Sequence, residues 1–328
     1  MQTESPDMRW KFLAVLLVLL VLFGTALPAR AGGVVTVCDE AHLRAALAGG
    51  GVVTFACSGV IPVSATLFIT ANTTIDGAGQ AVTLDGHQAV RIMTAREGVT
   101  LHLRELAFVN GAWAAGGGAF YNAGTTTVNR CTFSNNGGAI SNSGALAVAD
   151  STFTGNSTDG AGGAIYTSNY TTLIVTSSTF SGNSTRYSDG GAIANNSLGI
   201  VTVSNSTFSG NTSTWGTGGA IWNGYDRDLT VVNCTFSGNE ALNGAVFHGP
   251  WGDLSLRHCT IYGNYSLDGE AIELTGANPR SFVISHSVFA SNRTGTVGYR
   301  NFSGPAPTAT DHNIEDVHDF AFTGSGDQ

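Results

Sequence analysis

Two carboxylates occupy matching places in the chain. Asp228 and Asp253 each lie eight residues before an apolar residue, Phe236 and Ile261, that opens an F-x-x-N or I-x-x-N motif. Asp226, Arg227 and Arg257 are close by in sequence. If the motifs stack, the two acids come about one strand spacing, roughly 4.8 Å, apart. Carboxylates that close share a proton or bind a hard cation such as Ca²⁺. With Arg257 as base, Asp226, Asp228 and Asp253 would make a lyase-like or glycosidase-like site. Asp159 and Asp189 form a second pair before GGAI segments, and the competing reading is that all these are solvated acids in Gly-rich turns. His258 and His286 also align, three residues before their apolar position, where other copies carry Asn or Asp. A metal or acid–base role there competes with that of a solvated turn histidine.

A second set of side chains suits binding. The residue after the aliphatic position of each GGA[IV]-like motif is Tyr121, Ser141, Tyr166, Ala194, Trp222, Phe247 or Glu273. Four of these seven are aromatic, and all are expected on the outer surface. Trp215, Tyr225 and Trp251 lie in nearby loops. Sugar rings stack on exposed aromatic faces, so the row would suit an extended glycan or a protein partner. Alternatively, it is a second packing layer under the loops.

Composition removes many other chemistries. The chain has 328 residues, 44 of them glycine, with 11% charged residues and a net charge of −9. Its single lysine, Lys11, falls in the leader described below. That excludes a Walker-type lysine, a Schiff base and a lysine general base. An acidic, lysine-free surface is a poor partner for nucleic acid or anionic membranes. No C-x-x-C occurs, so no structural zinc is indicated and no cofactor is expected beyond the calcium that Asp228 and Asp253 could hold. Cys38 and Cys57 flank the first apolar stretch and are expected to form a capping disulfide. Cys131, Cys234 and Cys259 are expected to be small buried apolar groups.

Residues 1–31 read as a signal peptide: Arg9 and Lys11, the 12-residue apolar run from Phe12 to Phe23, then Ala29-Arg30-Ala31. The run is short of the roughly 20 residues that span a bilayer. The mature chain, starting near Ala31, is therefore expected to be secreted or surface-associated, monomeric and not membrane-spanning.

A repeat positions all these residues. The GGA-plus-aliphatic motif, centred on Phe120, Ile140, Ile165, Ile193 and Ile221, recurs as NGAV at Val246 and GEAI at Ile272. It alternates with F-x-x-N at Phe133, Phe153, Phe180, Phe208, Phe236 and Phe289. Five and seven residues before each aromatic stand apolar residues such as Val128, Val148, Val175, Leu101, Leu146 and Leu173, with Thr126 an exception. That is the period-2 alternation of a strand with one buried face. Three short strands per repeat, with like residues inside, predict an all-β, right-handed, single-stranded parallel β-helix of about 10–11 coils. The motif asparagines Asn136, Asn156, Asn183, Asn211, Asn239, Asn264 and Asn292 should then stack and hydrogen-bond along one corner. We divide the chain into a leader (1–31), an N-terminal cap with the first coils (32–100), the repeat array (101–304) and a C-terminal tail (305–328).

The GGA[IV] and F-x-x-N pairing resembles the repeats of chlamydial polymorphic membrane proteins. The start CDEAHLRAALAGGGVVTFACSGVI is similar to the CSLREA-type segment of secreted bacterial β-helix proteins, matching at Cys38, Glu40, Leu43, Arg44 and Ala46. The resemblance implies a secreted, surface-associated member of the pectin-lyase-like superfamily. Neither the calcium-binding Asp and basic-residue pattern of pectate lyases nor the Asp cluster and G-H-G run of polygalacturonases is present as a motif. The expected function is thus a non-catalytic, adhesin-like or glycan-binding module whose partner is an extracellular polysaccharide or a cell-surface glycan or protein. A polysaccharide lyase or glycoside hydrolase, and a structural cell-envelope spacer, are the alternatives.

Overall fold

The computed structural model describes residues 32–197, 199–224, 228–249, 253–274, 282–295, 302–303 and 309–315. The leader at 1–31, Asp226, Trp251 and most of the 305–328 tail lie outside them.

The chain winds as a right-handed parallel β-solenoid. Three long sheets of 12, 11 and 10 strands form its walls, and every strand pair is parallel. The 12-stranded sheet holds the alternating segments, such as Thr125–Asn129, Ala145–Ala149 and Leu173–Thr176. Val128 pairs with Val148, and Val148 with Val175, as the ladder predicts. The 11-stranded sheet holds the phenylalanine strands and the 10-stranded sheet the GGAI strands.

The structure adds a fourth, six-stranded sheet to the three expected per coil. Its strands directly follow the motif asparagine, from Ser157–Thr158 to Arg293–Thr294. Four of the six are only two residues long, so alternation does not reveal them. One column of them is nevertheless buried: Thr158, Thr185, Ser213, Ala241, Ser266 and Thr294.

The bore is filled by stacked like residues. Phe108, Phe133, Phe153, Phe180, Phe208 and Phe236 follow one another at 4.7–4.9 Å between ring centroids, tilted by 2–13°. Each is fully buried, and such burial is worth about 1.5–3 kcal/mol per side chain. At the next corner each asparagine Nδ2 donates to the following Oδ1 at 2.9 Å, from Asn136 through to Asn292. The same Nδ2 also donates to a carbonyl of the preceding coil, as from Asn183 to Phe153 at 3.0 Å. The ladder thus satisfies the polar groups of a turn that cannot join a sheet.

A further corner, between the 12- and 11-stranded sheets, is left-handed in successive coils. Arg130, Asp150, Ser177, Asn205, Asn233, His258, His286 and His312 occupy it with φ of 47–54°. Asn, Asp and His tolerate this region better than most residues, which accounts for their recurrence here.

At the N-terminal end, the helix Glu40–Leu47 turns Leu43 and Ala46 inward and covers the first coil. Asp39 caps it by accepting from the His42 N–H at 2.8 Å. Burial alone would raise the Glu40 carboxyl, but bonds from Ser64 and Arg44 hold it down at about 2. The expected Cys38–Cys57 disulfide is present. Cys131, Cys234 and Cys259 are free and buried, as expected.

Candidate functional site

The register of the GGAI sheet lines up one outward column: Tyr121, Ser141, Tyr166, Ala194, Trp222, His248 and Glu273. Phe247, expected in this row, is instead inside. It pairs with Ile221, is 2% exposed and meets Phe236 edge-on at 4.8 Å. The reason is phase. Gly244 (φ 61°) takes the left-handed place of Gly218 (φ 68°), so this copy reads Gly-Ala-Val-Phe, with Phe247 as its inward residue. His248 therefore replaces it on the surface. Aligning the left-handed glycines rather than the alanines would have found it.

Large and small residues alternate along the column. Ser141 and Ala194 separate Tyr121, Tyr166 and Trp222, and all three rings are half-buried. Beyond Tyr121 the column runs on through Thr94 to the exposed Phe68, and Tyr121 itself is covered. The Arg91 guanidinium lies 5.1 Å from its ring and 4.4 Å from that of Trp113. Arg91 is fixed there by donating to the Gly117 carbonyl at 2.9 Å. Tyr166 accepts from Asn196 Nδ2 at 3.4 Å. Trp222 lies over Gly224, where a Cβ would come within 2.9 Å of its ring.

Beyond Trp222 the column carries two titratable groups on neighbouring coils. His248 Nδ1 and Glu273 Oε2 are buried and have no hydrogen-bond partner among the described residues. Burial pushes the His248 imidazole down, with Asp189 pulling it back. Burial and the Glu270 charge push the Glu273 carboxyl up. Glycine at 269 leaves the room that Glu273 needs, since a Cβ there would sit 2.4 Å from Oε2. Burial thus disfavours the charged form of both groups, which stand at paired positions on adjacent strands.

The other candidates are dispersed. Trp215 is 64% exposed but belongs to the fourth-sheet strand Thr212–Thr217, where its N–H donates to the Arg186 carbonyl at 3.1 Å. Tyr187, with Arg186 over its ring at 4.8 Å, is exposed on the preceding coil. Asp228 and Asp253 stack as expected, each just before the paired residues Leu229 and Leu254. The Asp253 N–H approaches Asp228 Oδ1 at 3.4 Å, a turn-capping geometry. Arg257 stands at the other end of that strand, four residues or about 13 Å along, and donates to Ser255 Oγ at 3.3 Å. Among the described residues no three His, Cys, Asp or Glu side chains converge on a metal position.

Comparison with known proteins agrees with the coil geometry. The family model described as the right handed beta helix region matches residues 186–313. The Chlamydia polymorphic membrane protein repeat matches residues 150–168, which span one F-x-x-N and the following GGAI segment. The chain is a right-handed β-helix with polymorphic-membrane-protein-type repeats. No curated protein matches it. Within this β-helix no described helix is long and apolar enough to cross a membrane.

Proposed function

We propose that this β-helix is a secreted or surface-displayed repeat protein whose GGAI face binds an extended, uncharged glycan. The observation that carries the reading is the recurrence of an aromatic on every second coil, at Tyr121, Tyr166 and Trp222. Two coils span about 9.6 Å, the reach of roughly two sugar rings in an extended chain. The net charge of −9 and the absence of lysine beyond Lys11 disfavour a uronate or sulfated polymer.

Affinity electrophoresis of the purified protein in gels carrying neutral or acidic polysaccharides tests this. Trp222→Ala and Tyr166→Ala should each weaken retardation by a neutral polymer about five- to tenfold, as expected for the loss of about 1–1.5 kcal/mol of ring stacking. Thr230→Ala, on the opposite wall, should not. Retardation unchanged in both aromatic variants, or absent with every polymer, would favour a structural spacer.

A second reading, hydrolysis of the same glycan, rests on Glu273 and His248. Two groups whose charged forms burial disfavours, at paired positions on adjacent strands, could serve as general acid and base. This moves the enzymatic alternative away from Asp228, Asp253 and Arg257. New reducing ends released by the wild type and not by Glu273→Gln would support it.

A further inference from the structure

At the left-handed corner of the last coils, three histidines replace the Asn, Asp and Ser of earlier coils. The rings of His258 and His286 stack at 4.8 Å between centroids, tilted by 28°, and those of His286 and His312 at 5.1 Å, tilted by 14°. All three are exposed, and their φ values of 53, 51 and 48° aim each Cα–Cβ bond the same way. Neither His258 nor His286 commits a ring nitrogen to a hydrogen bond or ion pair among the described residues.

We propose that this ladder binds a borderline divalent transition-metal ion, of the Zn²⁺, Ni²⁺ or Cu²⁺ class, between the imidazoles of neighbouring coils. Two nitrogens on one tetrahedral ion, each about 2.1 Å from it, stand about 3.4 Å apart. The His258 and His286 ring centroids stand 4.8 Å apart, and because an imidazole lone pair lies in the ring plane, each ring must turn out of the stack to aim a nitrogen at a shared ion. Exposed side chains make such a turn at little cost. Imidazole nitrogen selects this metal class over Ca²⁺ and Mg²⁺, which take oxygen ligands. Two imidazoles supply half of a tetrahedral shell, and water fills the rest. His286 stacks on both of its neighbours, and with His258 it supplies the pair of ligands.

The left-handed corner alone accounts for one histidine at a time, because this backbone suits Asn, Asp and His alike. It does not call for three in a row. Since each ligand comes from a different coil, the ion would fasten one coil to the next. Binding should raise the stability of the folded chain by mass action.

The test uses the purified full chain and Zn²⁺, followed by isothermal titration and by thermal melting with circular dichroism. His286→Asn is the decisive variant. Asparagine occupies the same corner at Asn205 and Asn233, so the fold is kept. Wild type should bind zinc and melt at a higher temperature with it. His286→Asn should lose at least tenfold in affinity and the zinc-dependent shift. His87→Asn, at an isolated left-handed histidine, should keep both. The Cu²⁺ form should show nitrogen coupling from two imidazoles by electron paramagnetic resonance. Zinc affinity unchanged in His286→Asn, or no binding by wild type at millimolar zinc, would overturn the proposal. Neither readout involves glycan, so its failure is distinct from failure of the binding-face reading.

Discussion

Glu273 is the side chain whose environment departs furthest from what its sequence position suggests. In the repeat alignment it is one more outward residue, yet Oε2 is buried unpaired beside Gly269. Its raised carboxyl has a definite thermodynamic sign. A group that titrates higher when folded favours the folded state below its unfolded value and loses that contribution as pH rises through its folded value. Glu273→Gln should therefore raise the melting temperature at pH 7 and leave it nearly unchanged at pH 4. Melting curves at both values check this, and equal shifts would mean that the carboxyl is not perturbed. His248, its neighbour, was missed because NGAV and GGAI look alike until the glycine φ values set the phase. Tyr166 and Trp222 were legible because their copies keep both glycines. The Asp228–Asp253 pairing was legible too, since the distance to the following aromatic is the same in both coils. Which groups meet Arg257 depends on the strand's length, and the residue spacing does not encode it.

Among the elements, the motif asparagines hold the corner that the strands leave unpaired. Asn211 illustrates the arrangement. Its Oδ1 accepts from the N–H and Nδ2 of Asn183, while its own Nδ2 donates to Asn239 Oδ1 and the Phe180 carbonyl. Removing the amide strands buried groups on both neighbouring coils, and each such group costs about 1–3 kcal/mol. Asn211→Ala should thus destabilise the chain by several kcal/mol, on the order of two unsatisfied groups, in urea-unfolding experiments. A change below about 1 kcal/mol would mean that water replaces the ladder. The motif predicts this corner directly, because a residue recurring at one place in every coil must meet itself. The adjoining fourth sheet escaped for the opposite reason. Four of its six strands are only two residues long and have no alternation to read, and only the coil stacking turns them into a sheet.

Over the whole molecule, the wall sheets and the phenylalanine column were legible because a parallel solenoid converts sequence period into spatial adjacency. The bore is sealed along its length. Burial pushes the thiols of Cys131, Cys234 and Cys259 up to about 12, 12 and 11 respectively. A thiol reagent that needs the thiolate should label none of the three in the folded protein at pH 8, and all three in denaturant. Prompt labelling of the native chain would show that the bore opens locally.

The alternation of large and small residues down the GGAI face has an evolutionary corollary. Solenoids lengthen by copying a coil, and neither the asparagine ladder nor the phenylalanine column registers one extra copy. The aromatic platforms do, because they follow an odd–even rule. One coil duplicated between Tyr166 and Trp222 would put the rings out of step, whereas two would restore them. A lineage that uses this face is therefore constrained in the parity of its repeats there, although its stability places no limit on their number.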